Sequence, residues 1–280
     1  MKTKLVWGSR TLVMGILNLT PDSFSGDGLG IGEGAPERAV EQARRMVAEG
    51  ADILDLGAES SRPGARPISV SEELERLLPA LRAVRREMKE VILSVDTYKK
   101  EVVELALDEG ADWINDIWGL RFDPQMAEGI CRHDAGIILM HNGRALGDKV
   151  ETVPEEKKQD TVQWVKEGLE QSLKIARQSG IKNESIILDV GIGFGKTVEQ
   201  NLELINRLDE FRGMGFPILV GPSRKSFIGA ILDLPPDQRL EGTAAAVAIA
   251  IARGADVIRV HDVRAMVRVA KMSDAILARS

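Results

Sequence analysis

Eight short apolar runs rich in β-branched residues alternate along the chain with eight stretches of helical periodicity, and one tripeptide, Gly-Ala-Asp, recurs where a helical stretch meets the next run. Together these observations predict an α/β protein, a single (β/α)8 barrel spanning residues 1–280. Barrels of this kind run to about 250 residues. An open, doubly wound sheet shares the same alternation and is the other arrangement that strand counting allows. No Pro-, Ser- or charge-rich linker divides the chain, which favours one domain.

The strand-length runs are 11–17 (TLVMGIL), 52–56 (DILDL), 91–95 (VILSV), 113–117 (WINDI), 136–140 (GIILM), 185–190 (SIILDV), 216–220 (FPILV) and 256–260 (DVIRV). Helical spacing marks 36–49, 71–89, 98–109, 123–133, 154–179, 198–212, 241–253 and 262–278. Gly-Ala-Asp falls at 50–52, 110–112 and 254–256, each time directly before an apolar run. Glycine there suits the left-handed residue that ends a helix, and the next two residues lead into the strand. The small residues of 241–253 (EGTAAAVAIAIAR) permit close packing, for which the barrel is preferred over a partner chain.

Apolar residues make up 44% of the chain and charged residues 29%, enough for a large core in an ordinary globular protein. The net charge of −6 argues against a broad nucleic-acid footprint, so any anion site must be local. The lone Cys131 rules out an intrachain disulfide and a multi-cysteine zinc cage, and is expected to be a buried thiol. With three histidines in all, an all-histidine metal site is not expected. The two lysines before the first apolar run resemble a signal peptide, but Gly8-Ser9-Arg10 breaks the run and no small-x-small site follows. No apolar stretch reaches membrane-spanning length, so the expected location is cytoplasmic.

In either α/β architecture ligands gather at the carboxyl ends of the strands. The first strand leads to Asn18 and a loop with glycine at 26, 28, 30, 32 and 34, which suggests a mobile lid. The second leads to Glu59-Ser60-Ser61-Arg62-Pro63-Gly64, and the third to Asp96, which serves equally as a helix N-cap. Then come Asn115 and Asp116, Met140 and His141, and Asp189. "DVGIGFGKT" at 189–197 looks like a phosphate loop, yet its spacing fits neither the P-loop nor the dinucleotide fingerprint. The seventh strand ends in Gly221-Pro222-Ser223-Arg224-Lys225-Ser226-Phe227, a turn opening a helix with two cations that favour an anion, and the eighth in Arg259-Val260-His261. Two carboxylates, an amide and a lysine at one mouth suit a flat heterocycle with several N–H donors and a carbonyl. Asn18, Arg62, Arg259 and His261 would serve an oxyanion.

"NLTPDSFSGDG" (18–28), "ESSRPGA" (59–65), "SVDTYK" (94–99), "INDI" (114–117), "ILDVGIGFGKT" (187–197), "GPSRKSFIG" (221–229) and "RVHDV" (259–263) resemble, in order, the motifs of the dihydropteroate synthase family of pterin-binding TIM barrels. The family commonly has Thr where this chain has Ser61, and often two glycines where it has Gly57-Ala58. The resemblance implies condensation of 6-hydroxymethyl-7,8-dihydropterin diphosphate with p-aminobenzoate, a transferase step of folate synthesis that sulfonamides target. It implies catalytic roles for Asp96, Asp189, Lys225, Arg259 and His261. Asp96, Asn115, Met140, Asp189, Phe194, Gly221, Lys225 and Arg259 would bind the pterin, with Arg259 stacked on it and the glycines after Asp189 leaving room for the flat ring. Phe24, Ser61, Arg62, Pro63, Lys225 and Ser226 would hold p-aminobenzoate. Asn18, Arg62, Arg259 and His261 would hold the diphosphate, with Asn18 beside Mg2+, in a homodimer. A corrinoid methyltransferase of the related barrels would lack the Ser-Arg-Pro-Gly and Ser-Arg-Lys-Ser stretches. A non-catalytic relative would have lost some of Asn18, Arg62, Lys225 or His261, and all are present.

Overall fold

The computed structural model describes residues 5–20, 34–61, 65–144 and 160–278. Its eight strands are β1 (Leu12–Asn18), β2 (Ile53–Gly57), β3 (Ile92–Asp96), β4 (Trp113–Asp116), β5 (Gly136–Met140), β6 (Ile186–Asp189), β7 (Ile218–Val220) and β8 (Val257–Val260). All neighbours pair in parallel, and β8 pairs with β1, so the sheet closes. This decides for the barrel against the open sheet. Each observed strand lies within two residues of an apolar run at both ends.

The helices are α1 (Ala35–Glu49), α2 (Val70–Glu87), α3 (Lys100–Asp108), α4 (Met126–Arg132), α5 (Thr161–Gln178), α6 (Val198–Asn206), α7 (Ser226–Leu232), α8 (Leu240–Ala252) and α9 (Val263–Ile276). Among the described residues that is one more than periodicity counted. The addition, α7, is the seven-residue helix opened by the turn after β7. Periodicity also overran α6, which ends at Asn206 and gives way to a 3-10 turn over Leu208–Met214.

Each Gly-Ala-Asp does two jobs. Gly50, Gly110 and Gly254 all adopt positive φ, as a helix-ending turn requires. The aspartate then clamps the neighbouring strand at two points. Backbone N–H groups of Asp52, Asp112 and Asp256 donate to the carbonyls of Val13, Leu93 and Ile218, each at 2.8 Å. In return their carboxylates accept from the N–H groups of the same three residues, at 2.9, 3.0 and 2.9 Å. This repeat therefore fixes register at the amino ends of the strands, opposite the mouth where ligands are expected.

Inward-pointing side chains fill the lower barrel: Leu12, Met14, Ile53, Ile92, Ile138, Ile187, Leu219 and Val257 form one buried cluster against Leu5, Trp7 and Trp113. Gly136 permits this closure, because a Cβ there would lie 2.2 Å from the Trp113 ring. A larger cluster joins the outer strand faces to the helices. Helix α8 packs Thr243, Ala246, Val247, Ala250 and Ile251 inward, as its small residues suggested. Cys131, expected to be buried, is exposed. The inner face of α4 is taken by Met126, Ala127 and Ile130, which turns the thiol outward.

Candidate active site

Strand alternation carries the chemistry upward from that plug. On β3 the inward series Ile92, Ser94, Asp96 ends in a carboxylate, and on β4 Trp113 is followed two residues later by Asn115. Register sets Gly57 beside Asp96 and Asp96 beside Asn115, so three adjacent strand ends stand at one level. Met140 pairs with Asp189 in the same way across β5 and β6. Asp96 is not a helix cap: α3 starts at Lys100, with Lys99 in the cap position, and the carboxylate faces the barrel mouth instead.

A cavity of about 460 Å3 opens at this mouth, lined by Asn18, Asp96, Phe194, Lys225, Arg259 and His261. Ser61, Gly221 and Ser226 also border it. Asn115, Met140 and Asp189 do not line the open space and are only 3%, 2% and 6% exposed. Two side chains account for this. The Arg259 guanidinium reaches across from β8, donating from Nε to Asp55 at 2.6 Å and from Nη2 to Asp96 at 2.7 Å. Phe194 packs with Met140, Ile117 and Trp118. Phe24, Arg62 and Pro63 lie outside the described residues, as does most of the glycine-rich loop after β1.

The turn after β6 explains its glycines differently from the sequence reading. Gly191, Gly193 and Gly195 all take positive φ. A Cβ on Gly191 would sit 1.9 Å from the His141 carbonyl oxygen, one on Gly195 2.4 Å from the Gly143 backbone, and one on Gly193 2.8 Å from the Lys225 side chain. The room they leave is filled by the chain after β5 and by Lys225, not reserved for a ring. Lys196 donates to the carbonyls of Gly191, His141 and Phe194 at 2.8, 3.2 and 3.2 Å, while Thr197 and Gln200 form a capping box on α6. Gly-Lys-Thr is thus loop architecture. Asp189 itself accepts from the Gly191 N–H at 2.7 Å.

After β7, Arg224 sits at φ 56°, a strained value for a non-glycine residue. It is held by a fork to Asp262, at 2.9 and 2.6 Å. Arg224 was expected to favour an anion beside Lys225, but this bidentate pair already neutralises it. Lys225 donates to the Ile192 carbonyl and stands 4.6 Å from the Phe194 ring centroid. Arg144 lies over the same ring at 4.9 Å and donates to the Ser61 carbonyl at 2.8 Å, tying the loop after β2 to that after β5. The His261 ring meets Ser223 Oγ at 2.9 Å.

Several participants escaped the sequence reading. Arg144 and Arg239 line the cavity from segments without a recognisable motif. Asp55 is a charge at an inward position of an otherwise apolar strand. Lys99 bridges Glu59 and Glu73, both at 2.5 Å, behind the cavity wall.

Burial pushes the Asp96 carboxyl up to about 7, with Arg259 pulling it down and Asp55 adding to the rise. Burial likewise brings the Lys225 ammonium down to about 8, against the opposing pull of Asp189. An aspartate must be ionised for both of its oxygens to accept from N–H groups, and a lysine must be protonated to donate with its full charge. Accordingly kcat/KM for a substrate that offers ring N–H groups and a carbonyl should climb with pH through about 7 and decline beyond about 8. A profile flat from pH 6 to 9 would contradict this pairing of charges.

The model of the pterin-binding enzyme family matches residues 14–261. The chain belongs to this family. As a pterin-binding-family barrel it is 47% identical to the dihydropteroate synthase of Synechocystis sp., over 98% of this chain and 93% of that one. A structure of dihydropteroate synthase from Clostridium difficile, solved in the presence of pteroic acid, superposes with TM-score 0.87 at 43% identity, covering 97% of this chain and 98% of that one. The Xanthomonas albilineans dihydropteroate synthase with 4-aminobenzoic acid gives TM-score 0.84 at 36% identity, covering 96% and 94%.

Proposed function

We propose that this family member catalyses the dihydropteroate synthase reaction, joining 6-hydroxymethyl-7,8-dihydropterin diphosphate to p-aminobenzoate and releasing diphosphate. The observation that carries this reading is the convergence of Asp96, Asn115, Asp189 and Lys225 on one barrel mouth, in a chain so close to named synthases. The two carboxylates accept N–H groups of the pterin, while Lys225 donates to its carbonyl edge. Phe194 and Met140 supply apolar contact. Ser61, Ser226 and Lys225 border the space for p-aminobenzoate, with Arg62, Pro63 and Phe24 as its further contacts.

Bond breaking separates the pterin methylene carbon from the bridging oxygen, and the electron pair leaves with diphosphate. Arg259 and His261 hold that leaving anion, and carboxylates around the ring favour the positive charge developing at carbon. The aryl amine then forms the new C–N bond and gives its proton to solvent. A substrate-occupied site requires Arg259 to let go of Asp96, which frees the carboxylate for the pterin and the guanidinium for the ring face.

Asn18 offers an amide oxygen at the carboxyl end of β1. Among the described residues no group of three or more His, Cys, Asp or Glu is suited to a metal. Asn18 would give Mg2+ a single protein oxygen, with diphosphate and water completing its shell. When bound, the ion supplies neutralising charge to the diphosphate. Chelation with EDTA should therefore abolish turnover yet leave binding of 6-hydroxymethylpterin, which has no phosphates, unchanged by calorimetry. A fall in that binding would argue against this placement.

We further read the protein as a one-domain, cytoplasmic homodimer and a sulfonamide target. Among the described residues no helix is long and apolar enough to cross a membrane. Ile231 of α7, Ile249 of α8 and Ile276 of α9 are 52%, 49% and 71% exposed, apolar surface that a second copy would cover. The deciding assay mixes purified protein with the pterin diphosphate, p-aminobenzoate and Mg2+. Dihydropteroate and diphosphate should appear in equal amounts; absence of both would overturn the assignment.

A further inference from the structure

Asp55 lies midway along β2, wholly buried, at the level of Ile16 on β1 and Ser94 on β3. It caps no helix and clamps no strand. Its Oδ2 accepts from Asn115 Nδ2 at 2.9 Å and from Arg259 Nε at 2.6 Å, while its Oδ1 has no partner. Burying a carboxylate at such a point opposes folding unless it is paired, and an apolar residue would serve the barrel core better. What the carboxylate does instead is order its two neighbours.

We propose that Asp55 is a positioning residue that fixes the amide orientation of Asn115, so that the Asn115 oxygen is presented as an acceptor to an N–H on the edge of the pterin. This rests on the pterin reading given above. A carboxylate held by a guanidinium has only lone pairs to offer, so Asn115 must turn its NH2 toward it. The amide oxygen then necessarily points the other way. That oxygen is buried and has no hydrogen-bond partner. A buried acceptor left unpaired is unfavourable, and a ligand N–H is the group that relieves it. Without Asp55 the amide has no reason to prefer this orientation and would present donor and acceptor with comparable ease. The same Oδ2 also accepts from Arg259 Nε, so one buried oxygen orders both the amide and the guanidinium.

The test is calorimetric titration of 6-hydroxymethylpterin into the full-length parent and variants, with Asn115→Ala as a second background. Asp55→Ala should weaken binding about tenfold or more in the parent background, and less than about threefold where Asn115 is already alanine. Asp55→Asn should stay within about threefold of the parent, since an amide oxygen in the Oδ2 position keeps both acceptor contacts and its NH2 falls where Oδ1 has none. Equal losses from Asp55→Ala in the two backgrounds, or a loss from Asp55→Asn as large as from Asp55→Ala, would overturn the proposal. If Asp55→Ala does not fold, Asp55→Ser carries the same comparison, because its hydroxyl is too short to reach both partners. A parent that fails to bind 6-hydroxymethylpterin sinks the pterin reading itself, whereas a parent that binds with no coupling between positions 55 and 115 sinks only the role of Asp55.

Discussion

Asp189→Asn is expected to lower kcat/KM for the pterin diphosphate by about a thousandfold, with direct pterin binding falling in parallel. The substitution is nearly isosteric, and its remaining oxygen can still accept from the Gly191 N–H, as Asp189 does at 2.7 Å. The turn after β6 should therefore survive, and thermal unfolding should be close to the parent's. What changes is the other arm of the side chain, where an acceptor becomes an NH2 facing the N–H donors of the ring edge. Donor then meets donor in a buried site without water to mediate. The neighbouring Lys225 also loses the charge that supports its protonated form, since Asp189 is the chief influence opposing its fall toward 8. Parent-like binding and turnover in a correctly folded Asp189→Asn protein would remove Asp189 from the pterin site.

How far the fold can be read from the chain follows from what each signal measures. Alternating apolar runs report burial on a strand, so all eight strands are legible; the closing pairing of β8 with β1 joins residues 245 apart, such as Leu12 and Val257, and leaves no local trace. Gly-Ala-Asp was legible as punctuation, but the carboxylate clamp behind it needs the neighbouring strand to be seen. At the site, Asp96, Asn115 and Asp189 stand out because polar side chains fall at the carboxyl ends of apolar runs, and Lys225 because it lies in the turn that follows one. Asp55 interrupts such a run too, at mid-strand, where functional residues are not sought. Arg144 and Lys99 act through loop carbonyls and distant carboxylates, contacts with no sequence spacing. The glycines at 191, 193 and 195 show the reverse problem, since a positive φ and a close backbone neighbour look the same in sequence as space left for a ligand.

Lys99→Met should be the most damaging single change away from the ligand, destabilising the fold by about 3–5 kcal/mol. The Lys99 ammonium bridges Glu73 and Glu59 at 2.5 Å each and donates to the Ile68 carbonyl at 2.8 Å. Its own side chain is 12% exposed and that of Glu73 only 2%, so water offers Glu73 little replacement. Glu73 already sits above the ordinary glutamate range because burial outweighs the help of Lys99 and Thr97. Removing the lysine raises it further. The folded variant then binds more protons than the unfolded chain from the ordinary glutamate value upward, so its stability falls as pH rises through that window. Its deficit against the parent should accordingly shrink as pH is lowered toward about 4. Adding Glu73→Leu to Lys99→Met removes the stranded carboxylate and should recover most of the loss. Denaturant titrations of parent, single and double variants at several pH values test all of this, and a small, pH-independent deficit in Lys99→Met would refute it. The network also reaches the site, because Glu59 lines the cavity and accepts from Tyr98 at 2.6 Å. Without Lys99, among the described residues Glu59 keeps only Tyr98 and the adjoining Ser61 only Arg144 as holds on the loop, so the single variant should also show a raised KM for p-aminobenzoate, which the double variant retains even as its stability returns.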